Sequence, residues 1–586
     1  MTSPAAPAPL ARVQAGLLAA GRWALRHKPL ALLFLASAYL TLVNLDYAHL
    51  WHDEGNTVAV ARGLLTQGDI IGWDGRSLVA GTNGKSLNAD LREIQPPLMY
   101  FVTAASIAVF GDSPAGARAL HAIIGVLALL VFGLLLRQHM PRQPRLMLLC
   151  FAFAALSAQL MLYHRNARYF AMALLLFLLA AWLHRRYLDG RRGRDAALLA
   201  LVGVLGVFNH YAVGLTVIAA LGTHHLLWHV RATRLRDWLL LGGGAAAAGA
   251  LLLAWVAWLG AFSREGGLLE FSGADLTENP LPYWRIILLR YTAYLKTAFQ
   301  VDWLGWPICL WFAGCLFSQL RAKDGQGGWL APEELRPVCR LVILGLLVIL
   351  YAAVFSVQPS YYLGYSDLRY FFISIPLLLM MKAAFVHWLL KRSTYAGAAA
   401  AVALIASSVS AYPFNLVHQL DQEPTLELHL LSYVKEVHRP YRDPVTETLR
   451  LLDRHAAPGA TVYTPRFQEH DALVAAAGHR YRFCCQLSPT TPHARQLIER
   501  IGDPVQSQDP HTADWIIFYH VPNTDPTEHI LHGYSFWDRS EFMYYPAHRP
   551  ELNYHLFAPI RIDGRNEITL LRGPHLPDAP RQPEKR

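Results

Sequence analysis

The chain has 586 residues, of which 54% are hydrophobic and 16% charged, against roughly 25% charged in an average soluble domain. That balance excludes an ordinary soluble enzyme, and a mean hydropathy of only +0.24 excludes a chain lying wholly in the bilayer. Lys and Arg number 52 against 42 Asp and Glu, a net +10, and the placement of this excess decides whether it marks an anionic partner or membrane topology.

A hydrocarbon core about 30 Å thick needs about 20 apolar helical residues. Apolar runs, several of them short, predict about eleven spans, at 29–45, 115–136, 146–162, 170–183, 196–208, 212–228, 238–262, 303–320, 338–355, 370–390 and 395–412. Arg12, Arg22, Arg26 and Lys28 precede the first; Arg137, Arg142 and Arg145 follow the second; Arg185, Arg186, Arg191, Arg192 and Arg194 follow the fourth. Arg231, Arg234 and Arg236 follow the sixth, Arg321, Lys323, Arg336 and Arg340 the eighth, and Lys391 and Arg392 the tenth. Every second loop is therefore basic. The positive-inside rule then puts the N-terminus in the cytoplasm, and loops 46–114, 163–169, 209–211, 263–302 and 356–369 outside with everything after Tyr412. Ala36-Ser37-Ala38 has the look of a signal cleavage site, but the long basic start and the apolar run to Leu45 favour a retained first span. The short run 96–110 opens with two prolines and would invert the later alternation, so it reads as a juxtamembrane or re-entrant helix on the outer side. The stretch 281–296 mixes apolar, aromatic and basic residues at helical spacing, the pattern of an interfacial helix.

After residue 412 no apolar run reaches membrane length. Short strands at 460–464, 480–485 and 514–519 alternate with helices at 468–477 and 492–501. Two more strands, 555–562 and 567–571, flank the turn Asp563-Gly564. The expected architecture is thus a polytopic α-helical membrane domain over 1–412 and a soluble extracytoplasmic α/β domain over 413–586 whose tail is disordered. Six cysteines, four of them in or beside apolar stretches, give neither a disulfide framework nor a metal-ligand spacing. Nucleic acid is not an expected partner, because the basic excess marks loops.

The segment that bears chemistry is the outer loop 46–114, where Asp53 and Glu54 follow the first span and precede an amphipathic helical stretch from Thr57 to Leu65. Carboxylates there also simply complement a helix dipole. The order of features, however, resembles the bacterial GT-C glycosyltransferases, and more narrowly the family of protein O-mannosyltransferases and lipid A aminoarabinose transferases (glycosyltransferase family 39-like). These features are the Asp-Glu pair, Gly68-Asp69, Pro96-Pro97-Leu98 with Tyr100, Phe110-Gly111, Arg165 to Tyr169, and Arg369-Tyr370 with Pro376 downstream.

The resemblance implies transfer of a sugar from a polyprenyl-phosphate donor to an acceptor hydroxyl of a glycan, lipid or protein at the outer face of the cytoplasmic (inner) membrane. Asp53 is the expected base for the acceptor proton, and Glu54 orients the acceptor or holds a divalent cation. Arg165, Arg168, Tyr169, Tyr100, Arg369 and Tyr370 are the expected substrate-binding residues, with Arg264, Arg285, Arg290 and Lys296 as further phosphate candidates. Arg168 and Arg369 stand out because the outer loops are otherwise poor in Lys and Arg, although arginines at span ends also snorkel to headgroups. Two departures from the pattern matter. Gln95 stands where the aminoarabinose branch has lysine, and the stretch Tyr163 to Arg168 lacks the carboxylate of many relatives. His164 or Asn166 stays open as a substitute, and no metal site or cofactor is assigned. The competing class is a polytopic transporter or flippase of envelope lipids or glycans, which would place ionisable residues near the midplane and show internal repeats. This chain keeps its charges in loops. A non-catalytic envelope subunit is a third reading.

Overall fold

The computed structural model describes residues 28–259 (except 48, 80–83 and 85), 282–321 (except 301), 333–355, 368–418, 426–438 (except 427), 444–464, 470–507, 510–520, 535–542 and 566–576 (except 574). Twelve helices carry the first 330 residues as described. They are α1 Lys28–Leu42, α2 His52–Gln67, α3 Leu98–Phe110, α4 Pro114–His139, α5 Pro144–Ala155, α6 Ala158–His164, α7 Phe170–Gly190, α8 Gly193–Asn209, α9 Tyr211–His229, α10 Leu235–Trp258, α11 Tyr283–Gln300 and α12 Trp306–Arg321. α13 Arg336–Phe355, a short helical turn Leu368–Phe371, α14 Ile375–Leu390, α15 Thr394–Ala406 and α16 Tyr412–His418 complete the bundle.

Local chemistry sets the ends of these helices. α4 starts where the Ser113 hydroxyl accepts the Gly116 amide at 3.0 Å with Pro114 in the first turn, and ends on Arg137 and His139, which complement its dipole. α2 closes on Gly68 at φ +77, a left-handed cap that a side chain would strain.

Six helices among the described residues are each long and apolar enough to cross a membrane: Pro114–His139, Phe170–Gly190, Tyr211–His229, Leu235–Trp258, Arg336–Phe355 and Arg369–Leu390. The other expected spans are helical but shorter, Lys28–Leu42, Trp306–Ser318 and Thr394–Ala406 among them. The run at 146–162 is broken. α5 and α6 meet at 60°, because Ser157 takes an extended conformation and its hydroxyl caps α6 by accepting the Leu160 amide. This break delivers the turn carrying Arg165 and Arg168 to the end of the bundle. The 96–110 run forms the 13-residue helix α3, too short to span. The expectation that charges keep to loops is corrected by Lys382 in α14, which is fully buried and pairs with Asp302 at 2.9 Å.

Beyond the bundle, α17 His429–Val437, α18 Pro444–His455, α19 His470–Ala477 and α20 Pro492–Ile501 accompany five strands, β1 Thr461–Tyr463, β2 Arg482–Phe483, β3 Trp515–His520, β4 Ser535–Phe542 and β5 Asn566–Arg572. The sheet order is β2-β1-β3-β5-β4, parallel through β2, β1 and β3 and antiparallel thereafter. The expected hairpin is corrected on one arm. β5 pairs with β4, a strand too polar to announce itself, while the 555–562 strand, its Asp563-Gly564 turn and the tail after residue 576 lie outside the described residues. Adjacent Cys484 and Cys485 form a vicinal disulfide, and the other four cysteines are free.

Candidate active site

Asp53 and Glu54 occupy the first turn of α2. Neighbours on a helix point about 100° apart, so the two carboxylates meet different surroundings. The Asp53 side chain keeps 21% of its surface exposed and the Glu54 side chain 1%, which decides which of them can reach a substrate.

Around Asp53 the chain assembles two arginines from distant segments. Arg369, in the helical turn before α14, donates to Oδ2 at 2.8 Å. Arg168, in the turn after α6, donates to the same oxygen at 3.4 Å, and through Nη1 to the Asp53 carbonyl at 3.2 Å and the Thr57 hydroxyl at 2.9 Å. Aromatic residues brace both cations. The Tyr169 hydroxyl donates to the Arg369 carbonyl at 3.1 Å, its ring faces His210 at 4.1 Å, and His210 faces Tyr370 at 5.6 Å. Arg369 itself lies over the Tyr370 ring, 5.6 Å from its centre. Asp53, Arg168, Arg369, Tyr169 and Tyr370 are thus brought together. Tyr100 is fully buried within electrostatic range of Arg168 and Asp53.

Glu54 and Arg165 are used elsewhere. Glu54 accepts Arg118 at 2.9 and 2.5 Å and the Ala167 amide at 2.7 Å. Enclosed in this way, it holds α2, α4 and the Arg168 turn in one clamp and presents no lone pair to an acceptor or cation. Arg165 donates to four carbonyls at the end of α1, those of Leu40, Thr41, Val43 and Asn44, at 2.6–3.2 Å. It satisfies a helix C-terminus and is turned from the Asp53 cluster. Arg264 lies outside the described residues, Arg290 is buried and Arg285 lies over Trp284. His164 is buried with its ring against Gly125. Among the described residues no group of three or more His, Cys, Asp or Glu is placed to hold a metal ion.

One acid was not singled out from the sequence. Glu93, two residues before Gln95, is fully buried, and burial pushes its carboxyl up to about 8, with the Ser86 hydroxyl, the Gln95 amide and Arg168 drawing it back and Asp471 adding to the rise. Its signal was the alternation Leu91, Glu93 among apolar residues next to Pro96-Pro97, an acid on a face that has to be buried.

The C-terminal domain closes over this end. A Cβ at Gly55 would come within 2.5 Å of the Asp471 and Ala472 backbone, so α19 packs directly on the helix of Asp53. The segment between α2 and α3 joins it through His470, whose ring contacts the Leu78 carbonyl at 3.2 Å and the Thr464 hydroxyl at 3.0 Å.

Comparison with known structures bears on the fold. The chain is similar to ArnT from Cupriavidus metallidurans in the apo state, with 13% identity over 94% of this chain and 98% of that one and a TM-score of 0.54. It is similar to the same protein bound to undecaprenyl phosphate, with 14% identity over 92% and 97% and a TM-score of 0.52. Weaker likeness, at a TM-score of 0.43, is to the Archaeoglobus fulgidus oligosaccharyltransferase in the apo form, with 13% identity over 84% and 69%. No family model and no curated protein sequence matches the chain. The chain therefore has the GT-C fold that its ordered motifs suggest, with a C-terminal α/β domain added to the helical bundle.

Proposed function

We propose that the protein is a membrane glycosyltransferase that moves a sugar from a polyprenyl-phosphate donor to an acceptor hydroxyl, with Asp53 as base. The observation that carries this reading is the convergence of Arg168 and Arg369 on one oxygen of a partly exposed Asp53. Fold likeness to a protein seen with undecaprenyl phosphate supports the donor class.

In the reaction the acceptor oxygen bonds to the anomeric carbon and gives its proton to Asp53. The bond from that carbon to the phosphate oxygen breaks, and its electron pair leaves with the lipid phosphate. Arg168 and Arg369 are suited to that developing charge, since a guanidinium contacts phosphate through two donors. Before donor binds, both hold the Asp53 carboxylate. A phosphate arriving between them draws the cations off and frees Asp53 to accept a proton.

The basic segments support a membrane orientation with this end outside the cytoplasmic membrane. Arg185, Arg340, His139 and His229 line one pocket at the opposite end of the bundle, and Lys391 pairs there with Glu334. The positive-inside rule favours the cytoplasm for that end and for the N-terminus, and the outer face for the sheet domain beside Asp53. The domain then roofs the site and takes part in acceptor recognition.

Purified protein given a polyprenyl-phosphate sugar and envelope extract as acceptor should release polyprenyl phosphate. Arg168→Ala and Arg369→Ala should each raise the donor KM at least tenfold, about 1.4 kcal/mol of lost phosphate contact. Release by neither wild type nor variants, or an unchanged donor KM in both, would remove this reading.

A further inference from the structure

Far from Asp53, at the end of the bundle where α7 and α9 finish and α8 and α10 begin, these four helices enclose a cavity of about 230 Å³. It starts about one helical turn inside the ends, at Ala196, His225 and Trp238, and reaches Gly203, Val217 and Ala248. At a rise of 1.5 Å per residue this is a slot about 10–15 Å long. Its wall on α10 is shaped by small residues, Gly242, Gly244, Ala245 and Ala248.

The polar groups at this end point to what fills the slot. His184 and His225 line it and are bonded to each other at 3.0 Å, and His225 continues to the Thr233 hydroxyl at 2.8 Å in the turn before α10. Behind His184 a small pocket lined by His139, His224, His229, Arg185 and Arg340 contains no carboxylate among its described residues. His224 is buried there, beside the Arg340 backbone. At the rim Arg192, Arg194, Arg231, Arg234 and Arg236 are exposed. Of the acids in these turns, Asp189 is half exposed and paired with Arg185 at 3.0 Å, and the other two are turned inward. Asp195 is held by Arg186 at 2.9 Å, and Asp237 by Arg191 and the Tyr187 hydroxyl. An apolar slot thus opens under a collar of cations whose local counter-charges are already taken.

We propose that this cavity seats one anionic phospholipid, with an acyl chain between the four helices and its phosphate on the arginine collar. The collar selects the headgroup, since arginines clustered at the membrane surface attract anionic lipids. The slot distinguishes a seated lipid from those that merely surround the bundle. The site is one length of α7, about 30 Å by its 21 residues, from the donor arginines, so it is separate from the transfer site.

The test is native mass spectrometry of the full chain released from nanodiscs of mixed phosphatidylglycerol and phosphatidylcholine. Wild type should retain one phosphatidylglycerol and shed phosphatidylcholine. Gly222→Leu places a side chain into open space in the slot wall and should abolish retention, while Arg192→Gln with Arg194→Gln should lower the preference severalfold. Gly242→Leu, on the facing helix and equally unobstructed, makes the same test should the first variant not fold. Equal retention of both lipids, retention of a polyprenyl phosphate instead, or retention unchanged by either slot-filling variant would overturn the proposal.

Discussion

Asp53 and Glu54 differ by one methylene and one position, and the helix sends them to opposite duties. Glu54 with Arg118 is a buried ion pair. Glu54→Gln leaves the Arg118 charge without its counter-ion and should cost about 3–5 kcal/mol, read as a lower melting temperature in detergent. Replacing both partners by apolar residues of similar size should restore most of it. A melting temperature unchanged by Glu54→Gln would show that the pair contributes nothing net to stability. Glu93 yields a pH signature. Its folded carboxyl titrates near 8 against an ordinary value of 4.5, so between those values the folded state holds a proton that the unfolded state has lost. The native state therefore loses stability as pH rises from 4.5 to 8. Glu93→Gln removes that loss, and its melting temperature should gain on wild type from pH 5 to pH 8. Parallel curves would show that burial does not raise this group.

At the scale of elements, the decisive contact is between α2 and α19. Because the Asp471 and Ala472 backbone occupies the place of a Gly55 side chain, Gly55→Ala should destabilise by about 1–3 kcal/mol and make residues 444–572 more open to protease. Equal protection in wild type and variant would mean the domain sits on the bundle by other contacts. The elements were legible in unequal measure. Long apolar runs and the Ser113, Thr491 and Gly502 caps follow from local chemistry, and the helix at 492–501 stands where its period put it, while His429–Val437 and Pro444–His455 were not expected. The break at Ser157 was hidden because an apolar run reads the same whether straight or bent. β4 was missed because Ser535–Phe542 carries two acids and an arginine in eight residues, and its pairing with β5 is set by tertiary context. In the candidate site, Arg168 and Arg369 could be chosen because Lys and Arg are sparse in the outer loops, and Asp53 from the family resemblance of the Asp-Glu pair. The division of labour between Glu54 and Asp53, and the use of Arg165 on α1 carbonyls, depended on directions that sequence spacing alone does not carry.

For the whole molecule, the charge total divides into two working ends. One gathers arginines and histidines around pocket and collar. The other gathers Arg168, Arg369 and a domain around the partly exposed carboxylate of Asp53. The account stands on the claim that this second end transfers a sugar from a lipid phosphate with Asp53 as base. The most direct test is turnover of a polyprenyl-phosphate sugar by wild type and Asp53→Asn, with donor binding and melting temperature measured on the same samples. The account predicts a fall of about 10²–10⁴ in turnover with folding kept and donor still bound. Comparable turnover in the two proteins would contradict it.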